Sequence, residues 1–136
     1  MGERDSHTLS ADWPEHWKSS LEKWQNILDK VLCRIPFDEH LGWEDLRVQR
    51  LCGYCDEFLN IGCDTCPLCQ RKQCYINLTW DEGSGTPFWM FLEIMKELSR
   101  TLAINSDAQV NNEWLEAEKL ARAMIAAIEL DRPQAA

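Results

Sequence analysis

Six of the seven cysteines of this chain crowd into 23 residues, from Cys52 to Cys74, and no other feature restricts its folding as much. They run Cys52-Gly-Tyr-Cys55, then Cys63-Asp-Thr-Cys66-Pro-Leu-Cys69, then Cys74. A Cys-x-x-Cys turn brings two thiolates to one side of a tight loop, and two such turns complete a tetrahedral metal site. Gly53 inside the first pair and Gly62 before the second permit the sharp backbone these loops need. Pro67 stiffens the chain just after Cys66.

An odd cysteine count fits a disulfide framework badly. Residues 1–10 carry no basic stretch followed by an apolar one, so the sequence shows no secretory signal. Both observations predict a reducing, cytoplasmic setting in which the thiols hold metal. A redox pair at Cys52 and Cys55 is disfavoured, because no βαβ pattern surrounds it and no basic neighbour lowers a thiol pKa.

The simplest ligand set is Cys52, Cys55, Cys63 and Cys66, with Cys69 and Cys74 as alternates. The seven residues between the two pairs are fewer than the roughly 15–20 of a zinc ribbon, which predicts a compact knuckle holding Zn²⁺. The alternative is a 4Fe-4S cluster on the Cys63-x2-Cys66-x2-Cys69 run. A bacterial ferredoxin places its next cysteine three residues on and follows it with proline; here Cys74 comes after four residues and Tyr75 follows. Four thiolates leave a net charge of −2 with either metal, so charge does not separate them. Cys33, alone beside Leu32, reads as core filling. His7, His16 and His40 read as solvated surface residues, with His40 the one that could fold back as a ligand.

The order Cys52/Cys55, Cys63/Cys66-Pro67-Leu68, Cys74, Thr86-Pro87-Phe88 resembles a group of small uncharacterised bacterial and phage cysteine-rich proteins with a CxxC…CxxCP…C…TP(F/Y) pattern. The resemblance spans residues 52–88. It implies a shared metal knuckle and a helix before the C-terminus, and it brings no established activity. Cys69 and the Trp-rich N-terminal segment depart from the pattern.

The flanks predict a mainly α fold in a single domain over residues 1–136. Asp12, Pro14 and Glu15 signal a helix start. Trp17, Leu21, Trp24, Leu28, Val31, Leu32 and Ile35 then recur at steps of three and four, giving an amphipathic helix over 12–35 that Pro36 ends. A short helix over 43–51 leads into a metal-binding segment spanning 43–80. Residues 74–80 alternate as one short strand, and 81–85 form a turn. Thr86-Pro87 caps a C-terminal antiparallel helical hairpin over 86–130. Its second helix starts with a capping box between Ser106 and Gln109 and includes Leu115 on its apolar face. Residues 1–11 and 131–136 are expected to be disordered.

Apolar residues at 45% and charged residues at 27% describe a foldable chain. The net charge of −9 argues against electrostatic wrapping of nucleic acid. Arg47, Arg50, Arg71 and Lys72, with Tyr54, Tyr75 and Trp80 for stacking, make only a weak patch. Nucleic-acid binding by a zinc module is therefore the third reading. No phosphate-binding glycine loop, HExxH motif or Ser/His/Asp order occurs, and Asp56, Glu57 and Asp64 read as solvated, so no catalytic residues are assigned and the chain is not read as an enzyme.

Seven tryptophans are more than one small core buries completely, and large aromatics dominate binding hot spots. Trp17, Trp24 and Trp114 lie on helical stripes and belong to the core. Trp13, Trp43 and Trp89 are the candidates for an exposed partner-binding surface. The expected function is a small acidic zinc-knuckle accessory or adaptor protein acting through protein–protein contact. The alternative is an iron–sulfur accessory subunit or electron carrier serving a larger enzyme.

Overall fold

The computed structural model describes residues 11–37, 42–43, 46–47, 53–58, 66–70 and 86–133. Within them the chain is mainly α. Helices α1 (Trp13–Leu32), α2 (Gly53–Phe58), α3 (Pro67–Gln70), α4 (Pro87–Ile104) and α5 (Asn111–Glu129) accompany strands β1 (Gly42–Trp43) and β2 (Leu46–Arg47).

The long helices follow from apolar spacing. In α1, Trp13, Trp17, Leu21, Trp24, Ile27 and Val31 are buried on one face while Glu15, Lys18 and Glu22 stay in water. Helix α5 packs against both α1 and α4. Trp114, Leu120, Met124 and Ile128 of α5 share one core with Phe88, Phe91, Met95 and Leu98 of α4 and with the α1 stripe. Trp24 sits edge-on to both Phe88 and Phe91, with ring centroids 5.8 and 5.5 Å away. Truncating an aromatic at such a position costs about 3–5 kcal/mol.

The helix ends are local chemistry. Thr86 caps α4 by accepting a hydrogen bond from the Trp89 amide at 3.1 Å, with Pro87 at the first turn, as its sequence predicts. Helix α1 stops at Leu32, three residues earlier than the apolar spacing predicts. The Ile35 amide bonds the Lys30 carbonyl, the Arg34 amide bonds the Val31 carbonyl, and Arg34 takes φ 56°. This pairing is a Schellman close with an arginine in the left-handed position where glycine is usual. Leu32 and Ile35 consequently point outward, and the Cys33 thiol is exposed, correcting the expectation that it fills the core.

Four further expectations are corrected. Asp12 precedes α1 but makes no side-chain cap. The capping box at Ser106 and Gln109 does not form, because Asn105 closes the turn instead. Its side chain accepts from the Asp107 amide at 3.0 Å and its carbonyl from the Ala108 amide, delaying α5 to Asn111. Leu115 is exposed on α5. In place of a helix from Trp43, β1 and β2 pair antiparallel, with Gly42 opposite Arg47 and Trp43 opposite Leu46. The physical reason is tertiary: the Trp43 indole donates to the Ile35 carbonyl at 2.8 Å, and its ring packs edge-on against Phe37. Phe37 in turn touches Phe91, and its carbonyl accepts from the Ser99 hydroxyl.

Residues 131–133 are described and held. Asp131 accepts a hydrogen bond from the Tyr54 hydroxyl at 2.7 Å, and the Arg132 guanidinium lies 4.6 Å from the Trp17 ring centroid. This corrects the expectation of disorder from residue 131. The expected strand at 74–80, the turn at 81–85 and the N-terminal segment through residue 10 lie outside the described residues.

Candidate functional site

The cysteine segment joins the helical body through α2. Gly53 begins that helix against the backbone of α1: a Cβ there would lie 1.7 Å from the His16 carbonyl oxygen. Only glycine lets the two backbones approach so closely. The role of Gly53 is therefore close packing between helices, which corrects its expected role as the sharp turn of a metal loop.

Polar contacts secure the same joint and tie it to the end of α5. Ser20, wholly buried on the apolar face of α1, donates to the His16 carbonyl at 3.1 Å and accepts from the Tyr54 amide at 3.2 Å. An orphaned amide at the start of α2 thus finds its acceptor on α1. His16 Nδ1 lies 3.0 Å from Glu57 Oε1, and the Glu57 side chain is almost fully buried. The Tyr54 hydroxyl reaches Asp131 beyond α5, while the Trp17 indole donates to the Ile128 carbonyl at 2.7 Å. A buried carboxylate needs such partners, because desolvation without them costs several kcal/mol. His16 and Glu57 are accordingly a part-buried cross-helix contact, with the Glu57 side chain buried and His16 half-buried, correcting the solvated roles expected of both.

Aromatic rings fill the space beneath. Trp13 meets Tyr54 edge-on at 5.1 Å and Phe58 at 5.7 Å. Leu68 of α3 is buried in the same core, and Cys66, immediately before α3, is buried with it. The structure thus brings one member of the predicted ligand set, Cys66, into the main core. Cys55 falls within α2 and Cys69 within α3. Cys52, Cys63 and Cys74 lie outside the described residues, as do His7 and His40. Among the described residues no group of three or more His, Cys, Asp or Glu side chains converges to hold a metal ion.

The predicted contact tryptophans divide. Trp13 and Trp43 are buried, at 5% and 4% exposure, which corrects the expectation that they form an exposed surface. Trp13 is consumed by α2, more than forty positions away, and Trp43 by the nearby Phe37 corner. Trp89 is half-buried and lines a groove of about 380 Å³ between α4 and α5 with Met90, Ile94 and Leu120. Tyr54, considered for base stacking, is 1% exposed and cannot serve. Arg50, Arg71, Lys72, Tyr75 and Trp80 lie outside the described residues.

The joint between α1 and α2 was not predicted. Its signals are in the sequence: a serine on an otherwise apolar stripe, and a glycine beside a tyrosine between Cys52 and Cys55. No helix among the described residues is long and apolar enough to cross a membrane. No family model matches the chain, and neither a curated protein nor a solved structure does.

Proposed function

We propose that the chain is a small acidic metal-binding accessory or adaptor protein, working through protein–protein contact, in which a structural zinc knuckle holds the cysteine segment. The knuckle draws on Cys52, Cys55, Cys63 and Cys66, with Cys69 and Cys74 as alternates. The observation that carries this reading is the α1–α2 joint. The helix bearing Cys55 is fixed to the body by Gly53, Ser20, Tyr54 and Glu57, and Cys66 is buried in the same core. Such rigidity suits a structural ion, which contributes folding energy, better than a catalytic one that keeps an open position. The resemblance to small cysteine-rich bacterial and phage proteins points the same way. A reducing cytoplasmic setting is part of the proposal.

Purification without oxygen, followed by metal analysis and a visible spectrum, tests it. The expected result is a colourless protein with one zinc per chain. Cys52→Ser lowers the zinc content, and Cys33→Ser, altering an exposed thiol at the end of α1, leaves it unchanged. A brown protein carrying iron and sulfide replaces this reading with the iron–sulfur subunit. Equal zinc loss from both variants refutes the ligand assignment.

A further inference from the structure

The groove between α4 and α5 has a chemistry that selects its occupant. Its floor is apolar: Trp89, Met90, Ile94 and Leu120 contribute, and Met90 is 40% exposed although it is large and hydrophobic. Its rim is acidic, with Glu93 and Glu97 from α4 and Glu116 from α5 against the single guanidinium of Arg100. Lys96 lies 3.4 Å from Glu93 and offsets part of that carboxylate, whereas Glu97 and Glu116 are both exposed.

We propose that this groove binds a basic amphipathic segment of another protein, its apolar side chains seated on Trp89 and Met90 and its lysines or arginines facing Glu97 and Glu116. The proposal rests on the adaptor reading and supplies the chemistry of its partner. A helix laid in a groove anchors through side chains three and four residues apart, and a half-buried tryptophan is the residue type that most often dominates such contacts. Charge selects among occupants. A second copy of this chain, itself at net −9, would bring one acidic rim against another. An anionic membrane and a nucleic acid are repelled for the same reason. A basic segment meets complementary charge at the rim and loses apolar surface on the floor.

The test uses the full chain and a fluorescent peptide of about 14 residues, four helical turns, made of leucine and lysine with the leucines on one face. A second peptide carries glutamate at every lysine. The leucine–lysine peptide is expected to bind in an anisotropy titration and the leucine–glutamate peptide to leave the signal unchanged. Glu97→Lys/Glu116→Lys weakens binding by about tenfold or more at low salt. Glu15→Lys/Glu22→Lys makes the same change in net charge on the exposed face of α1 and retains nearly full affinity. Circular dichroism checks that both variants keep their helices.

Equal weakening by the two double variants means diffuse attraction to an acidic surface and overturns the proposal. So does a concentration-dependent dimer, seen by sedimentation, that displaces the peptide. Zinc content measured on the same samples separates the two readings. A zinc-loaded chain that ignores the peptide removes the groove and leaves the knuckle standing; a metal-free chain that binds it in the groove does the reverse.

Discussion

Gly53 and Arg34 show opposite uses of one backbone freedom. At Gly53 the requirement is space: a methyl group 1.7 Å from the His16 carbonyl oxygen cannot be accommodated unless α2 moves off α1. Gly53→Ala is therefore expected to destabilise the fold by about 1–3 kcal/mol, the usual cost of overpacking, read from the midpoint of urea unfolding. At Arg34 the requirement is φ 56°, which an L side chain adopts at a cost. Arg34→Gly relieves it and should raise stability by about 0.5–1 kcal/mol. Arg34→Ala, which removes the charge and keeps the strain, should gain little; equal gains from both would locate the effect in the charge.

At the scale of elements, each helix is bounded by a few hydrogen bonds and oriented by its buried stripe. The start of α4 rests on the Thr86 hydroxyl, which takes the Trp89 amide while lying in a buried position. Thr86→Ala is expected to cost about 1 kcal/mol and Thr86→Ser to restore most of it, measured by thermal unfolding. Both outcomes follow from one orphaned amide finding or losing its acceptor. Helix α2 is too short to persist alone, so its existence depends on Ser20, His16 and the ring of Trp13. The pair β1 and β2 is likewise too small to stand without the Trp43 indole held at Ile35.

For the whole molecule, the cysteine segment and the helical body share one core, since Tyr54, Phe58, Cys66 and Leu68 pack in the same cluster as the stripes of α1, α4 and α5. Under the zinc-knuckle proposal, metal binding and folding are one equilibrium. Chelation under reducing conditions is then expected to lower the Tm and to shift tryptophan fluorescence to the red as Trp13 loses Tyr54 and Phe58. Far-UV dichroism and fluorescence should report coincident transitions before chelation, as a single cooperative unit does. An unchanged Tm after complete removal of the metal contradicts a structural role for it.

Periodicity and punctuation made the long helices readable, because the stripe from Trp17 to Val31, the Thr86-Pro87 start and the hairpin after it are encoded within a few residues of chain. The mainly α class follows from them. The cysteine spacing is also local, and it supplies the ligand set of the metal proposal. What lay beyond reach was decided by residues far apart in sequence. His16 meets Glu57 across 41 positions, Trp17 meets Ile128 across 111, and Tyr54 meets Asp131 across 77. Trp43 turned inward because the neighbouring Phe37 ring is itself anchored on Phe91 from α4, and Trp89 stayed half-buried because α4 and α5 leave a groove there. A sequence states which side chains prefer to be dry, since hydrophobicity belongs to each residue. Which of them find a partner depends on how the helices pack, and packing is a property of the whole fold.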